Sequence, residues 1–464
     1  MLRAGGGAFP LLASTLLAGA ALAASAAAEP AAPVTGHSFG FEVKAGYRDS
    51  ELAKVQSPFP FPPSFLPVGQ THGFMETVDE GGHFELAVVS LFYKGAFENN
   101  LATKVKVDLI DKWDRNPTSS DREFDVDEAW IRWGPEVEPA ADHQGYTAYV
   151  KVGKFPKFER QDDRHLESYG LVSTAFNRAE DVGLEVGFDL GRHFYIKTSF
   201  TQGNPLFIRD VNALAGDNGT PELDPTSFPD PELKSGLPIF YDADVDDLDF
   251  ENPETGLGVG FRLVDDSGRF GLDVLAWGYA RDLAGTVDLH GTYYGGDLDI
   301  MTGPFPNGIP GAFAPTTPPN LRGNEKREFG ANVWLYAGSF SLFAQYVDQE
   351  LAELPRTGYE VEAHYEWEMP FIELFGQQVF SFIAPAVRYS KLEPDFQTAA
   401  TYPAPSVKWP WEKVDLGLRL GLINGLDLTL EYADNTFWRG PTGQIKGSED
   451  EYLATFRYNW SRER

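Results

Sequence analysis

Residues 412–434, EKVDLGLRLGLINGLDLTLEYAD, contain the pattern that decides the fold. Apolar residues alternate with polar ones on both sides of a short turn formed by Ile423, Asn424 and Gly425. Alternation with a period of two places successive side chains on opposite faces of a β-strand. An Asn-Gly pair between two such segments is a strong hairpin signal. The stretch therefore predicts two antiparallel strands, each with one apolar and one polar face.

The same alternation recurs along the chain and predicts sixteen strands. The connections alternate between long loops, such as 204–254 and 282–325, and short turns, such as 191–192 and 265–268. Even strand numbers with short turns at one end and long loops at the other are typical of outer-membrane barrels. We therefore predict an all-β fold, a transmembrane antiparallel β-barrel of about 16 strands. The approximate strand spans are 37–48, 83–94, 101–113, 122–133, 146–155, 181–190, 193–203, 255–264, 269–281, 326–337, 339–349, 357–368, 379–390, 412–422, 426–434 and 450–460.

Aromatic residues cluster at the predicted strand ends, where the side chains of a membrane barrel meet the bilayer interface. A secreted soluble β-sandwich is the alternative, since its strands also alternate, but it would bury its apolar faces in a core. Charges on the polar face of nearly every strand favour the barrel. The aromatic residues expected at the interface are Tyr47, Trp113, Trp133, Phe155, Phe194, Trp277, Tyr279, Trp334, Tyr336, Trp367, Tyr389 and Trp460.

The composition further restricts the class of protein to which the chain can belong. The chain of 464 residues carries a formal net charge of -31 and contains no cysteine. Missing thiols exclude a disulfide framework and a cysteine nucleophile, and the acidic balance argues against a nucleic-acid partner, which needs basic surface. Aromatic residues make up 14% of the chain, which argues against disorder. Outside the N-terminus, no charge-free apolar run reaches the roughly 18 residues of a membrane helix.

The N-terminus has the form of an export signal. Arg3 provides a positive charge, an apolar stretch follows at 11–24, and alanines at 26–28 form a small-residue cleavage site. A membrane anchor is the alternative, but the apolar stretch is short for one. We predict a cleaved secretory signal peptide at 1–28 and one outer-membrane β-barrel over 29–464.

If the apolar faces meet lipid, the polar faces line the inside of the barrel. Opposed walls of unlike sign would set an electric field across a pore and sort ions. The alternative is that these charges pair with neighbours and only solvate the wall. The predicted basic wall consists of Lys44, Arg48, Lys104, Lys106, Lys112, Arg132 and Lys151, and the predicted acidic wall of Glu360, Glu362, Glu366 and Glu368.

The third outer loop follows the fifth strand and reads PKFERQDDRHLESY at 156–169. A sixteen-stranded barrel is wide enough to leave an aqueous channel, so we expect this charged loop to fold inward and narrow the pore. Phe158, Leu166 and Tyr169 would anchor it to the wall. An ordinary surface loop is the alternative. The candidate constriction residues are Lys157, Arg160, Asp162, Asp163, Arg164, His165 and Glu167.

Short motifs around this loop resemble the phosphate-selective porin O and P family. They are VGKF at 152–155, FNR at 176–178, DVG at 181–183, FTQGN at 200–204 and IAPAVRY at 383–389. The resemblance implies a sixteen-stranded, trimeric diffusion porin. It does not carry phosphate selectivity across, because acidic residues match the basic ones in the third outer loop. Alginate-export barrels are a second, weaker resemblance.

Two further groups of residues suggest other chemistry. Loop 204–254 is strongly acidic, and the oxygens of 242–251 are candidate ligands for a loosely bound Ca²⁺. The segment lacks the glycine and final acid of an EF-hand loop, and a solvated acidic loop is the alternative. His364 lies among the glutamates of the acidic wall, but no base–nucleophile pair accompanies it. We therefore expect no enzymatic activity, and no cofactor apart from the Ca²⁺.

Together these features predict passive diffusion of ions and small hydrophilic solutes through a constricted pore in the Gram-negative outer membrane. The expected partners are outer-membrane lipid and lipopolysaccharide, the diffusing ions and solutes, and two further copies of the chain in a homo-trimer. Two alternatives come from other classes. One is a non-transporting structural or adhesive barrel plugged by its loops, and the other is a secreted soluble β-protein.

Overall fold

Sixteen antiparallel strands close into one barrel in the computed structural model of the protein. The first strand, β1 (Gly36–Glu51), pairs with β2 (Gly81–Phe97) on one side and with β16 (Ile445–Glu463) on the other. The main sheet therefore has no free edge. The structure describes residues 36–51, 55–56, 74–75, 81–110, 124–135, 145–161, 164–176, 180–203, 206–208, 234–235, 239–242, 252–265, 269–282, 287–290, 325–351, 354–374, 377–395, 409–423, 425–439 and 445–463.

The remaining strands follow in chain order, each paired with its predecessor and its successor. The twelfth strand is interrupted at Glu366 and resumes as Trp367–Leu374, still paired with the thirteenth. The strands are β3 (Leu101–Ile110), β4 (Phe124–Trp133), β5 (Tyr146–Pro156), β6 (Glu180–Leu190), β7 (Phe194–Thr201), β8 (Glu254–Val264), β9 (Phe270–Asp282), β10 (Glu325–Ala337), β11 (Phe340–Leu351), β12 (Leu354–Tyr365), β13 (Gln377–Pro394), β14 (Trp411–Gly421) and β15 (Leu426–Arg439).

Each of the sixteen predicted strands has a counterpart, so the predicted fold class is confirmed. The strict alternation of long and short connections is wrong at two places. The connections after β11 and β15 span only 352–353 and 440–444. Near the second of them, β15 and β16 run well past the predicted strand ends at 434 and 450.

The hairpin between β14 and β15 shows how local sequence sets the connections. Gly425 has a φ of 82°, a left-handed conformation that residues with a Cβ rarely adopt. A Cβ at Gly425 would also collide with the backbone oxygen of Asn459 in β16. Gly338, in the turn between β10 and β11, has a φ of 63° but open space around it. Both turns need glycine, and the first needs it for two reasons.

The two faces of the barrel wall have the reverse polarity of a soluble protein. On the enclosed face, the charged side chains of Arg388 and Asp415 are 0% exposed. On the outward face, Phe84 is 84% exposed and Trp133 is 60% exposed. A soluble sandwich would bury such apolar side chains. The arrangement therefore does not fit the soluble alternative.

Exposed aromatic side chains form two rings on the outward face, one near each end of the barrel. We call the end where β1 begins and β16 ends the short-turn end. Its ring contains Phe39, Trp133, Tyr146, Phe194, Trp367 and Trp460, and the ring at the opposite end contains Tyr47, Phe84, Phe124, Phe200, Phe329, Tyr346 and Tyr452. The exposed residues between the rings are mainly aliphatic, among them Leu91, Val152, Val259, Leu416 and Leu430.

Several aromatic residues that the sequence places in these rings lie elsewhere. Phe155, Trp277 and Tyr279 are buried on the enclosed face, and Trp334 packs against the same interior cluster. The prediction failed because it assigned every large apolar residue to the lipid side. In β9 and β10 the enclosed face carries aromatic residues as well as charges. Trp113 lies outside the described residues.

The connections contain a few short elements. A 3₁₀ turn, Glu98–Asn100, joins β2 to β3, and a five-residue helix, α1 (Leu171–Ala175), lies in the loop between β5 and β6. No helix in the described part of the chain is long and apolar enough to cross a membrane. Two small sheets also form between loops, from Val55–Gln56, Phe74–Met75 and Lys234–Ser235, and from Leu206–Ile208, Ile239–Asp242 and Val287–His290.

Candidate functional site: the enclosed face and the third outer loop

The third outer loop, residues 157–179, contacts the enclosed face of strands that are distant in the sequence. Near its start, Lys157 forms an ion pair with Glu254 at the beginning of β8. Further along, Ser168 contacts Arg388 in β13, and Glu167 contacts Arg457 in β16. Glu167 also contacts Lys44 in β1, and Arg160 contacts Glu180 at the start of β6. The described contacts of the loop therefore extend over more than half of the barrel wall, from β6 through β16 to β1.

Arg388 is the centre of the contact between loop and wall. Its Nε lies 2.9 Å from Asp415 Oδ2, its Nη1 lies 3.4 Å from Glu362 Oε2, and its Nη2 donates to Ser168 Oγ at 2.7 Å. The guanidinium presents several donors in a fixed plane, which suits it to join groups from separate elements. It links β12, β14 and the loop.

Glu431 in β15 accepts hydrogen bonds from the loop backbone. The N–H of Glu167 donates to it at 2.9 Å, and the N–H of Ser168 donates at 3.3 Å. The hydroxyl of Ser168 also contacts Glu431 and lies 3.1 Å from Asp415. Charge-assisted hydrogen bonds of this kind are stronger than neutral ones. The wall therefore holds the loop partly through the backbone N–H groups of the loop. The residue types in the loop do not predict such contacts.

Glu167 is held by cations from both ends of the chain. Its carboxylate lies 3.5 Å from Lys44 in β1 and 2.8 Å from Arg457 in β16. Burial alone would raise the pKa of Glu167, but Lys44, Arg457, Arg164 and Arg419 favour the ionised form and lower the pKa to about 2. Glu167 is therefore a charged anchor at neutral pH.

The start of the loop is fixed by a buried group of charges and polar side chains. Burial would lower the pKa of Lys157, but the nearby Glu254 raises it above the usual value, so the ammonium stays charged. Lys326 in β10 also binds Glu254, at 2.7 Å. Glu159 accepts a hydrogen bond from Tyr279, and its backbone oxygen accepts one from Gln345 at 3.3 Å.

An apolar cluster lies between the loop and the wall. Phe158 stacks on Tyr279 with ring centroids 5.3 Å apart, and Phe176 packs beside Gly358 in β12. Buried apolar side chains contribute about 1.5–3 kcal/mol each, so the cluster adds substantially to the hold on the loop. Its members are Leu171, Val172, Ala175, Phe176, Tyr195, Leu275, Trp277, Tyr279, Val347, Leu392, Trp409, Trp411 and Phe437, with Phe158 and Trp334 packed against it.

His165 joins the middle of the loop to β11 and β12. Its ring stacks on His364 with centroids 3.5 Å apart and planes inclined by 14°. Ser341 Oγ lies 3.1 Å from His165 Nε2 and 2.8 Å from His364 Nδ1. The backbone N–H of His165 donates to Glu362 at 3.0 Å. His165, a predicted constriction residue, therefore forms a pair with His364, for which the sequence predicts no role.

The other predicted constriction residues lie in different surroundings. Arg160 forms an ion pair with Glu180 at the start of β6. The guanidinium of Arg164 lies over the ring of Tyr169, 3.7 Å from its centroid. Asp162 and Asp163 lie outside the described residues.

Five of the seven residues of the predicted basic wall form ion pairs. Lys106 binds Asp127 at 2.6 Å and Asp108 at 3.2 Å. Arg132 lies over the ring of Trp130, 6.0 Å from its centroid. Lys112 lies outside the described residues. The other pairs are Lys44 with Glu42, Arg48 with Glu451, Lys104 with Glu128, and Lys151 with Glu185. The field expected from a bare cationic wall is therefore largely cancelled.

The predicted acidic wall divides into two parts. Glu360 and Glu362 are buried beneath the loop, and Glu360 packs against Gly170, where any Cβ would collide with its carboxylate. Glu366 interrupts β12 and is half-buried, and Glu368 is exposed toward the short-turn end. The four carboxylates do not form one continuous ladder, because the loop covers only the first two.

Alternation placed Arg388, Asp415 and Glu431 on the enclosed face, but it contained no signal that they bind a loop. Asp127 was missed for another reason. The register between β3 and β4 shifts between Lys106 and Asp108, which is a β-bulge. A bulge re-aims a side chain, so Asp127 reaches Lys106.

Within the described residues, no group of three or more His, Asp or Glu side chains could hold a metal ion. Almost all of 242–251, the predicted Ca²⁺ segment, lies outside them.

Comparisons with known proteins are consistent with this architecture. No protein-family model and no curated protein matches the chain. The solved structure of OprB from Pseudomonas putida covers 92% of this chain and 94% of its own, at 9% identity and a TM-score of 0.50. The outer membrane channel DcaP of Acinetobacter baumannii covers 92% and 98%, at 10% identity and a TM-score of 0.46. At such low identity the likeness to OprB shows the fold alone, and the resemblance to the phosphate-selective porin O and P family stays a prediction.

Proposed function

We propose that this protein is an outer-membrane porin that lets ions and small hydrophilic solutes diffuse passively through its barrel. The observation that supports this proposal is the reversed polarity of the wall, which encloses charged side chains and exposes an aliphatic band between two aromatic rings. A bilayer requires every backbone group to be paired internally, and a closed barrel provides this. Polar interiors and outward apolar bands flanked by aromatic girdles are typical of outer-membrane channels.

We infer that the third outer loop folds into the barrel and narrows the pore. Its contacts with Glu254, Arg388 and Arg457 on the enclosed face support this inference. Since the loop contacts the wall from β6 through β16 to β1, the passage is expected along the wall formed by β2 to β5. The ammonium groups of Lys104 and Lys106 are partly exposed there. The ions and solutes would therefore pass between the loop and this wall.

We expect the pore to be weakly charge-selective. Lys104, Lys106 and Lys151 on this wall each have a carboxylate within reach, so the described part of the passage has no ring of uncompensated lysines. A selectivity filter needs such a ring or an equivalent set of dipoles. Phosphate selectivity is not supported by these pairs. Reversal potentials in a salt gradient should give an anion-to-cation permeability ratio within roughly threefold of one.

Planar-bilayer recording of the refolded protein tests the proposed function. Stable single-channel conductance is expected, and deletion of 160–168 should increase it by removing the narrowing loop. A matched deletion of 291–299, in another long loop, should leave the conductance within the range of the parent. A folded barrel without conductance would overturn the porin function and favour the non-transporting, loop-plugged barrel. Unchanged conductance after deletion of 160–168 would overturn the constriction.

The cellular setting follows from the same proposal. We propose that residues 1–28 are removed on export, that the barrel resides in the Gram-negative outer membrane among lipopolysaccharide, and that it assembles as a homo-trimer. We propose further that 242–251 binds Ca²⁺ loosely in the outer loops. N-terminal mass spectrometry, membrane fractionation, the mass of the detergent-solubilised complex and calorimetry with Ca²⁺ test these points one by one.

A further inference from the structure

The contact between His165 and His364 crosses from the third outer loop to the wall. The two imidazole rings are nearly parallel and only 3.5 Å apart, which is van der Waals contact over a full ring face. Histidine is the side chain whose ordinary titration lies closest to neutral pH, near about 6.5. The loop is thus attached to β12 through two side chains of this type.

The hydroxyl of Ser341 bridges the two rings. It lies 3.1 Å from His165 Nε2 and 2.8 Å from His364 Nδ1. A hydroxyl has one proton, so it can donate to one of these nitrogens and accept from the N–H of the other. This arrangement suits one nitrogen with a proton and one without. When both nitrogens carry protons, the hydroxyl can no longer donate to either ring, and two like charges face each other.

The surroundings can neutralise one added charge better than two. Glu362 accepts the backbone N–H of His165, but its carboxylate is also bound by Arg388 at 3.4 Å. The polar groups around His165 are Gln161 in the loop, Tyr336 in β10, Ser341 in β11 and Glu362 in β12, and Arg388 in β13 binds Glu362. Arg164 and the half-buried Glu366 are the charged neighbours of the two histidines in the sequence.

We propose that His165 and His364 form a proton-controlled latch that holds the middle of the third outer loop against β12 and releases this segment when both rings are protonated. The proposal rests on the porin function and adds a regulation to it. Two imidazolium rings in face contact repel each other, and their repulsion acts directly between the loop and the wall. The loop already lies against its wall, so a released segment moves toward the passage. Acid should therefore close the pore.

The first test is single-channel recording between pH 8 and pH 4.5. For the parent protein we expect long closures that are more frequent at pH 4.5 than at pH 8. In His165→Gln and in His364→Gln, the conductance at pH 5 should stay near the conductance of the same variant at pH 8. His193→Gln is the matched control, since His193 lies in a short turn near Arg262 and should keep the acid response.

A permanently charged partner gives the opposite test. His364→Lys places an ammonium against His165 at any pH used, so it should show frequent closures already at pH 7.5. The chain contains no cysteine, so Gln161→Cys provides a single thiol beside the latch. A water-soluble maleimide should label this thiol several-fold faster in the His364→Lys background than in the His364→Gln background at pH 7.5. Heat-modifiable gel mobility confirms that each barrel is folded.

The outcomes separate the latch from the porin function. A parent channel that conducts at pH 8 but shows no acid closures overturns the latch and leaves the porin intact. Acid closures that persist in the doubly substituted His165→Gln, His364→Gln protein also overturn it. A folded barrel that never conducts overturns the porin function. In that case equal labelling of Gln161→Cys in the Lys and Gln backgrounds would overturn the latch independently, and faster labelling in the Lys background would support it.

Discussion

Arg388 joins three groups that come from separate parts of the chain, namely Asp415, Glu362 and Ser168. Removing its guanidinium would take the cation from the buried Glu362 and one of two cations from the buried Asp415, which also contacts Lys413. We predict that Arg388→Ala lowers the free energy of unfolding by about 3–5 kcal/mol, the usual cost of breaking a buried ion pair. Urea unfolding in lipid vesicles, followed by circular dichroism, measures this loss.

Arg327→Ala is the control for this prediction. Arg327 pairs with Glu325, but both side chains are largely exposed. Its loss should change the free energy of unfolding by less than about 1 kcal/mol. Similar losses for the two variants would show that the Arg388 cluster has no special role in stability.

Glu167 allows a second prediction, on ion selectivity. Glu167→Gln removes the nearer carboxylate of Lys44 and Arg457, so these two cations near the loop share only Glu42. We expect the permeability ratio to shift toward anions by roughly threefold, about 0.7 kcal/mol, which is within the range of a partly exposed ion pair. Reversal potentials in a salt gradient measure the shift. An unchanged ratio would mean that these cations lie away from the path of the ions.

The pH dependence of the Glu167 anchor follows from its low pKa of about 2. A depressed pKa contributes stability above the ordinary value of 4.5, and the contribution is lost as the pH falls through 2. The anchor therefore remains charged at pH 5. The acid response of Glu167→Gln at pH 5 should match that of the parent, because this carboxylate does not change its charge there.

At the scale of single residues, the sequence predicted the face on which a side chain lies more reliably than the groups that this side chain contacts. Lys106 and Glu362 lie on the enclosed face, as alternation requires, because the side-chain period of a strand is fixed by backbone geometry. Their partners were not predictable, since Asp127 is re-aimed by a bulge and the loop binds Glu362 through a backbone N–H. Neither feature has a residue-type signature.

Single elements depend on a few positions with unusual backbone geometry. We predict that Gly425→Ala costs more stability than Gly338→Ala. Both substitutions incur about 1–2 kcal/mol for a left-handed φ, but only Gly425 faces a backbone oxygen, that of Asn459. Unfolding free energies of the two variants in the same lipid provide the comparison. Equal losses would mean that β16 can shift to accommodate the new methyl group.

The third outer loop shows the limit of prediction at the scale of elements. Its position after the fifth strand, its charges and its aromatic anchor Phe158 are visible in the sequence. Helix α1 and the apolar cluster on β7 to β15 were not expected, because strand alternation assigned large apolar residues to the outward face. An enclosed apolar patch on a barrel wall requires a covering element, and only tertiary structure shows which element covers it.

The whole molecule depends on the bilayer as its outer solvent. Leu416 lies in the middle of β14 and is 50% exposed on the outward face, whereas Leu190 is the last residue of β6. We predict that Leu416→Arg costs about 2–4 kcal/mol in a bilayer and Leu190→Arg at most about 1 kcal/mol. Unfolding in vesicles measures both. Equal costs would contradict a membrane midplane at Leu416.

At this largest scale the sequence was most informative. Strand number, closure and reversed polarity follow from one repeated pattern, as in residues 412–434, combined with the need to satisfy every backbone group in lipid. Individual errors, such as the placement of Phe155 or the two short connections, do not alter the barrel. The fold is specified redundantly across sixteen strands, whereas each site contact is specified once.

The position of Glu167 has a consequence for biogenesis. The loop that carries it is made early in translation, between β5 and β6, yet its partners Lys44 and Arg457 belong to the two strands that form the seam between β1 and β16. Its complete binding site therefore exists only after the last strand has joined the first. Until then the loop lacks one of its anchors, so resistance of residues 157–176 to protease reports that the seam has sealed.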